Sequence, residues 1–237
     1  LGRRSARLED GVFVVEGPGL VGEAVRAGWE VVAQYVAPGA EPVAGAGEVC
    51  ELAPGVLERV ATTQTPQPVL AEVRIRRPQL PDASTLVLVA DRVADPGNLG
   101  TILRSAEAAG VDAVVPTTGT VDPFNPKVVR ASAGALFHVP VIDEVAPGAL
   151  PAFGLTLVGT SSHQGVPYTE ADLRRPVALV LGSEAHGVGD DVPVAEWVMI
   201  PHAGRAESLN VAMAATLVCF EARRQRGTGF RAAPPAP

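Results

Sequence analysis

The five residues Leu86-Val87-Leu88-Val89-Ala90 are apolar without a break. A strand of that kind belongs where both of its faces are covered, as in a parallel sheet flanked by helices. The next twenty residues narrow the choice. Asp95-Pro96 offers a helix cap with proline in the first turn, Ile102, Leu103, Ala106 and Ala109 give the helix an apolar side, and Gly110 ends it. Further strands are expected near 113–115, 155–159, 177–181 and 197–200, and their alternation with helical or looped segments predicts an open α/β domain.

A smaller α/β unit precedes it. A buried strand is expected over 12–15, then a helix carrying Leu20, Val21, Ala24 and Val25, then a strand carrying Val31, Val32, Tyr35 and Val36. A short helix over 54–61 and an apolar stretch over 69–75 complete the unit. Two prolines and polar residues from Arg76 to Asp82 mark a linker, so we divide the chain into 1–77, a linker at 78–83, and 84–237. The last helix is expected to begin at Ser208. Its stripe of Leu209, Ala212, Met213, Thr216, Leu217 and Phe220 suits packing on the sheet or dimerisation. The tail over 227–237, with three prolines, is expected to fray.

Composition limits the function classes. No run of 18 apolar residues occurs, and Arg3 and Arg4 stand where a leader core would begin, so a soluble, cytoplasmic protein is expected. Cys50 and Cys219 lack metal or disulfide-framework spacing, and a reducing compartment suits them. His138, His163, His186 and His202 form no HExxH or other close ligand pattern, so no metal is expected; His163 and His186 lie beside turns, where either could approach RNA or simply face solvent. The net charge of -7 argues against a surface that attracts nucleic acid uniformly. Lys127 is the only lysine, and arginines cluster as Arg3, Arg4 and Arg7, as Arg74, Arg76 and Arg77, and as Arg223, Arg224 and Arg226. Guanidinium groups suit bidentate phosphate contact, although such clusters also suit ordinary solvated termini and linkers.

Gly17-Pro18-Gly19-Leu20-Val21-Gly22 matches GxGxxG between a strand and a helix. The acidic residue that would hold a ribose hydroxyl is missing where the next strand runs into Val36-Ala37-Pro38. The glycines are therefore read as serving a tight turn, and a nicotinamide-dependent oxidoreductase ranks low.

Three segments carry the chemistry: 91–106, with Asn98 and Arg104; 179–189, with Gly182, Ser183 and Glu184; and 200–214, with Ser208 and Asn210. Each follows or contains the end of an apolar run, where backbone N–H and C=O groups can cradle a ligand. Asn98 and Asn210 can donate and accept, Glu184 can accept or act as a base, and Arg104 can hold a phosphate. Ser208 serves equally as an N-cap or as a pocket hydroxyl.

In order and spacing these segments resemble the three motifs of the SpoU (TrmH) family of knotted methyltransferases, over Leu86 to Arg226. The N-terminal part is similar to the substrate-recruiting domain of many members through Phe13-Val14-Val15-Glu16-Gly17, Glu23-Ala24 and Thr65-Pro66-Gln67. The resemblance implies a deep trefoil knot, with a mostly parallel sheet, around S-adenosylmethionine, in a homodimer whose active site is completed near the subunit interface. The cofactor would lie among Gly159, Thr160, Leu181, Gly182, Ser183, Glu184 and Ile200, closed by Ser208, Leu209 and Asn210. Arg104 would be the principal catalytic residue with Asn98 as its companion, and Glu184, Ser208 and Asn210 would organise the pocket. Arg3, Arg4, Arg7, Arg74, Arg76, Arg77, Arg104 and Arg130 would meet RNA. Val188, His202 and Ala212 depart from the residues common at those positions, namely leucine, methionine and serine. The implied activity is 2′-O-methylation of a ribose in structured RNA, ribosomal RNA first; transfer RNA, or a noncatalytic RNA-binding or assembly role, are the alternatives.

Overall fold

The computed structural model describes residues 3–60, 65–143, 145–183, 185–205 and 208–227. Two sheets organise the chain. The first joins β1 (Val12–Glu16), β2 (Val31–Val36), β3 (Glu48–Glu51) and β4 (Val69–Arg74) in the order β1-β4-β2-β3. Central β4 runs antiparallel to both neighbours, and β3 adds a parallel edge to β2. Helices α1 (Arg4–Asp10), α2 (Pro18–Arg26) and α3 (Leu57–Val60) complete this unit.

The second sheet is parallel throughout. Its strands are β5 (Leu86–Ala90), β6 (Ala113–Pro116), β7 (Thr156–Ser161), β8 (Val166–Pro167), β9 (Val177–Leu181) and β10 (Glu196–Met199), in the order β6-β5-β9-β7-β10-β8. All five residues of β5 and all five of β9 are buried. The alternation of a strand explains why. Leu86, Leu88 and Ala90 face one apolar cluster with Val177, Leu179 and Leu181, while Val87 and Val89 face another with Ala178 and Val180.

Helix α4 (Pro96–Ala109) follows β5 as the sequence predicts. The Asp95 carboxylate accepts from the backbone N–H of Asn98 at 2.8 Å, Pro96 opens the first turn, and Gly110 closes the helix at φ 71°. Helix α5 (Pro126–Ala131) is capped in the same way by Asn125, and Gly100 of α4 lets it approach so closely that a Cβ there would collide with Ala131. Helix α6 (Val211–Gln225) begins later than expected: Asn210, not Ser208, is its cap, accepting from Ala212 N at 2.9 Å and Met213 N at 3.3 Å. The expected stripe is also split. Ala212 is buried with Val211, Ala215, Val218 and Cys219, and Thr216 shares a 2.7 Å hydroxyl bond with Ser105 of α4. Leu209, Met213, Leu217 and Phe220 are exposed. The tail from 228 onward lies outside the described residues, as does the predicted end of the short helix at Ala61.

The two sheets share one continuous core despite the proline-containing connection between β4 and β5. Phe13 of β1 packs against Phe124 at 4.9 Å and Phe137 at 6.5 Å between ring centroids, and Trp29 meets Phe137 edge-on at 5.5 Å. Each such pair is worth about 0.5–1.5 kcal/mol beyond its burial. Trp29 Nε1 also donates to the carbonyl of Phe137 at 2.9 Å. Arg7, expected to face RNA, instead turns inward. It is 2% exposed and pairs with Asp122, because that carboxylate needs a partner where α1 meets the larger unit. Among the described residues no helix is long and apolar enough to cross a membrane.

Candidate active site

Because the second sheet is parallel, the loops after β7, β9 and β10 all leave from the same edge. The loops after β7 and β9, together with Ile200, His202, Ser208 and Leu209 from the segment between β10 and α6, line a cavity of about 530 Å3. Each loop is stiffened from within. In the first, Ser161 Oγ accepts from the N–H groups of His163 and Gln164 at 3.1 and 3.3 Å, while Thr160 Oγ1 donates to the Val180 carbonyl at 3.1 Å. In the second, Ser183 and Gly187 exchange backbone bonds at 3.0 and 2.9 Å around Gly187 at φ 65°. Gly182 lies against Gly187 and Val188 with no room for a Cβ, so this loop closes only with glycine there.

A buried carboxylate fixes that second loop to the first motif. Asp91, 2% exposed, accepts from Gly189 N at 2.8 Å, Thr117 Oγ1 at 2.7 Å and Arg92 Nη2 at 3.1 Å. Arg92 sits at φ 55°, a left-handed conformation unusual for a residue with a Cβ. The third loop is tied to the same motif by side chains: Asn210 Nδ2 donates to Asn98 Oδ1 at 2.9 Å. The N-termini of α4 and α6 therefore lie together, joined by two asparagines that are 112 residues apart.

Arg104 is exposed, six residues and under two turns along α4 from Asn98, roughly 9 Å at 1.5 Å per residue. It opens onto a second cavity, about 640 Å3, with Glu23, Ser132, Gly134, His138 and Phe220 in its wall. Ala133 in this wall is held at φ 49°. Glu23 of α2 and His138 meet across it at 2.6 Å, and hydrogen bonds from Arg26 and then His138 hold the Glu23 carboxyl below the usual range.

Comparison with known proteins decides what this arrangement is. Residues 85–220, more than half of the chain, match the model of the SpoU rRNA Methylase family. The chain belongs to the SpoU rRNA methylase family. Residues 1–71 match the MRM3-like substrate binding domain. The chain is 35% identical over 231 residues to the 23S rRNA (guanosine(2553)-2′-O)-methyltransferase RlmP of Bacillus subtilis (strain 168), across 93% of this chain and 92% of that protein. It is 32% identical to the 23S rRNA (uridine(2479)-2′-O)-methyltransferase of Streptomyces viridochromogenes, across 99% and 90%. The crystal structure of the SpoU methyltransferase AviRb from Streptomyces viridochromogenes in complex with AdoMet matches with a TM-score of 0.86 at 32% identity, across 97% of this chain and 96% of that one. This is the trefoil-knotted SpoU architecture with an N-terminal substrate-binding domain.

Within this SpoU fold the expected residues separate by position. Thr160, Gly182, Ser183, Ile200, Ser208 and Leu209 line the first cavity. Gly159 does not: it is buried against Trp197 and Val194, where a Cβ would not fit, and Leu181 is buried within β9. Asn210 sits at the rim as a cap, and Glu184 lies outside the described residues. Sequence reading missed the loop after β7, His186 and His202, all in the cavity wall. No sequence signal marked the loop, because the adjacency of β7 and β9 that brings it to the cavity appears only in the sheet order. Of the proposed RNA-facing arginines besides Arg7, Arg3, Arg4, Arg74, Arg76, Arg77, Arg104 and Arg130 are exposed. Arg74 reaches Glu30 at 3.4 Å, and Arg76 covers Trp29 at 4.8 Å. The cluster near the C-terminus is committed to structure: Arg223 donates to Ala109, Arg224 to Glu221, and Arg226 to Leu173, Arg175 and Thr85. Of the glycines at 17, 19 and 22 only Gly17 makes the strand-to-helix turn, at φ 100° with its N–H on Val69, while Gly19 and Gly22 lie inside α2.

Proposed function

We propose that this chain transfers the methyl group of S-adenosylmethionine to a ribose 2′-hydroxyl of structured RNA, with ribosomal RNA as the substrate. Residues 1–77 recruit the RNA, 84–237 perform the transfer, and the cytoplasm, where Cys50 and Cys219 stay free, is the compartment. The observation that carries this reading is the cavity formed by three strand-end loops and tied to the first motif through Asn98 and Asn210.

The residues present fit the cofactor. A volume of about 530 Å3 falls in the range of roughly 300–1,000 Å3 usual for small-molecule sites. The wall mixes apolar groups (Ile200, Leu209, Val211) with polar ones (Thr160, Ser208, His202), as a nucleoside with a charged tail requires. Gly182 lets one loop fold tightly at the cavity. When bound, S-adenosylmethionine supplies a methyl group activated by its sulfonium. Thr160, Gly182, Ser183, Ile200, Ser208 and Leu209 would hold it.

Arg104 acts on the RNA. Arginine stays protonated, so its part is to grip a phosphate and to stabilise negative charge developing on the ribose oxygen, not to accept the proton. The proton acceptor is left to another group. Orientation of the hydroxyl contributes much of the rate, so the arginine has to be held firmly. Within one chain Arg104 and the first cavity open in different places. We therefore assign the working form as a homodimer, in which Arg104 of one protomer serves the cavity of its partner. The exposed stripe of Leu209, Met213, Leu217 and Phe220 supports this, since it joins the two cavities: Leu209 lines the first and Phe220 the second. The exposed arginines 3, 4, 74, 76, 77 and 130 extend the RNA-facing surface.

The test is to incubate the protein with total RNA and isotopically labelled S-adenosylmethionine, without magnesium, and to map 2′-O-methylation by nucleoside mass spectrometry. Labelled ribose in ribosomal RNA, abolished in Arg104→Ala, is expected. Cofactor binding without labelling of any RNA would refute the enzymatic reading and favour an assembly role.

A further inference from the structure

We propose that the second cavity receives the base of the target nucleotide and that Glu23 selects guanine there, accepting from the ring N–H and the exocyclic amine of its Watson–Crick edge. The inference deepens the reading of Arg104 as the residue that meets the ribose, and rests on it. Arg104 lines this cavity of about 640 Å3, within the range of roughly 300–1,000 Å3 usual for small-molecule sites. In a nucleotide the base is attached to the carbon beside the one that bears the 2′-hydroxyl, so a hydroxyl held at Arg104 brings its base to the same place. The hydroxyl itself must point at the methyl donor in the first cavity, which leaves the second as the room for the base. Sequence-specific recognition of RNA relies on bases splayed out of the stack and read along their edges.

The wall supplies a fixed acceptor. Ala133 and Gly134 turn through φ 49° and 96°, and Gly134 lets the Glu23 side chain lie against it, since a Cβ there would stand 3.0 Å from the Glu23 Cγ. Brought there on α2 of the smaller unit, the carboxylate accepts from Arg26 on one oxygen and meets His138 Nε2 at 2.6 Å on the other. A carboxylate has about four lone-pair sites, so each oxygen keeps one for a ligand. The side chain is 29% exposed and therefore open to one. The hydroxyls of the wall are engaged within the fold: Thr101 donates to Gly97, Ser105 pairs with Thr216, and Ser132 donates to Val129. Guanine is the base whose Watson–Crick edge presents two adjacent N–H donors, the complement of a carboxylate in a bidentate, charge-assisted pair. Uracil sets its one donor between two carbonyls that a carboxylate repels, and adenine and cytosine set a ring acceptor beside their amine. Glu107, three residues beyond Arg104 on α4, also lines the cavity and provides the comparison in the test.

The experiment labels ribosomal RNA with wild-type protein and isotopic S-adenosylmethionine, identifies the methylated nucleoside by mass spectrometry, and takes the shortest RNA fragment that wild type methylates. That fragment is then made with guanosine or with inosine at the target, which differ only in the exocyclic amine. Glu23→Gln keeps the length of the side chain but turns one acceptor into a donor, which opposes that amine. Label in 2′-O-methylguanosine, and kcat/KM about tenfold lower for the inosine fragment with wild type, are expected. That ratio should collapse to about one in Glu23→Gln, through loss on guanosine, and persist in Glu107→Gln. Label in another nucleoside, or equal rates of wild type on the two fragments, overturns the proposal. So does a ratio that survives Glu23→Gln: equal losses on both fragments assign Glu23 to the junction of the two units alone. Collapse of the ratio in Glu107→Gln likewise overturns it, by moving the reader to α4. A wild-type protein that labels no RNA instead overturns the methylation reading itself, and this inference with it.

Discussion

Truncating Asp91 to alanine removes a carboxylate that three donors share in the buried space between β5 and the loop after β9. The donors do not suffer equally. Thr117 can turn its hydroxyl toward the Thr118 carbonyl, already 3.4 Å away, and the Arg92 side chain, 40% exposed, regains water. The buried N–H of Gly189 has neither escape. An unsatisfied buried donor costs about 1–3 kcal/mol, and losing a hydrogen bond to a charged group accounts for a similar amount, so Asp91→Ala should destabilise the protein by about 2–4 kcal/mol. For a chain of this size each kcal/mol moves Tm by about 2–4 °C, giving a fall of roughly 5–15 °C in a thermal melt. The second consequence is local. Gly189 anchors the loop that supplies Gly182, Ser183 and Val188 to the first cavity, so affinity for S-adenosylhomocysteine should fall more than tenfold at a temperature where the variant is still folded. A variant that melts within about 1 °C of wild type, or one that binds as tightly, would refute the idea that Asp91 fastens the cofactor loop.

Other perturbations test separate parts of the structure. Arg104→Ala should lower RNA methylation by on the order of a hundredfold or more while leaving cofactor affinity intact, which single-turnover labelling and calorimetry read separately; equal losses in both would place Arg104 in the wrong cavity. Leu217→Arg on the exposed face of α6 should convert a dimer to a monomer in sedimentation and remove activity, with little change in the circular dichroism spectrum. Burial pushes the Cys219 thiol up to about 12, so it should resist alkylation at neutral pH until the chain is unfolded, and mass mapping of native protein should find label only on Cys50. The Glu23 carboxyl is held low by Arg26 and His138; its contribution is present above its ordinary value of 4.5 and is lost as pH falls through the lowered folded value. Glu23→Gln should therefore flatten that acid limb of stability, and an unaltered acid limb would show that the pair does not couple the two units.

The second half of the fold was legible where local physics decides. Uninterrupted apolar residues announce β5 and β9, and Asp95, Pro96 and Gly110 bracket α4, because burial, capping and left-handed backbone are set by a few neighbouring side chains. Strand β3 was not legible: Glu48, Val49, Cys50 and Glu51 lie at a sheet edge, with three of the four exposed and no alternation to betray them. The start of α6 was misplaced because Ser208 and Asn210 are both competent caps, and only the backbone geometry selects the asparagine. At the site, motif spacing located the loops but not the partners. The bonds from Asn98 to Asn210 and from Asp91 to Gly189 span about a hundred residues, as does the pairing that takes Arg7 out of the arginine cluster. Which residues of a stripe face water is likewise a property of the neighbours that α6 meets, and no periodicity within the helix reveals it.

The aromatic junction of Phe13, Trp29, Phe124 and Phe137 bears on how substrate is measured. A recruiting domain on a loose tether would sample many distances and let an RNA adjust its grip. Here the first sheet and α4 belong to one continuous core, so under the proposed division of labour the distance from the RNA-holding unit to Arg104 is fixed by packing, and a bound RNA would have to bring its target ribose to that one span.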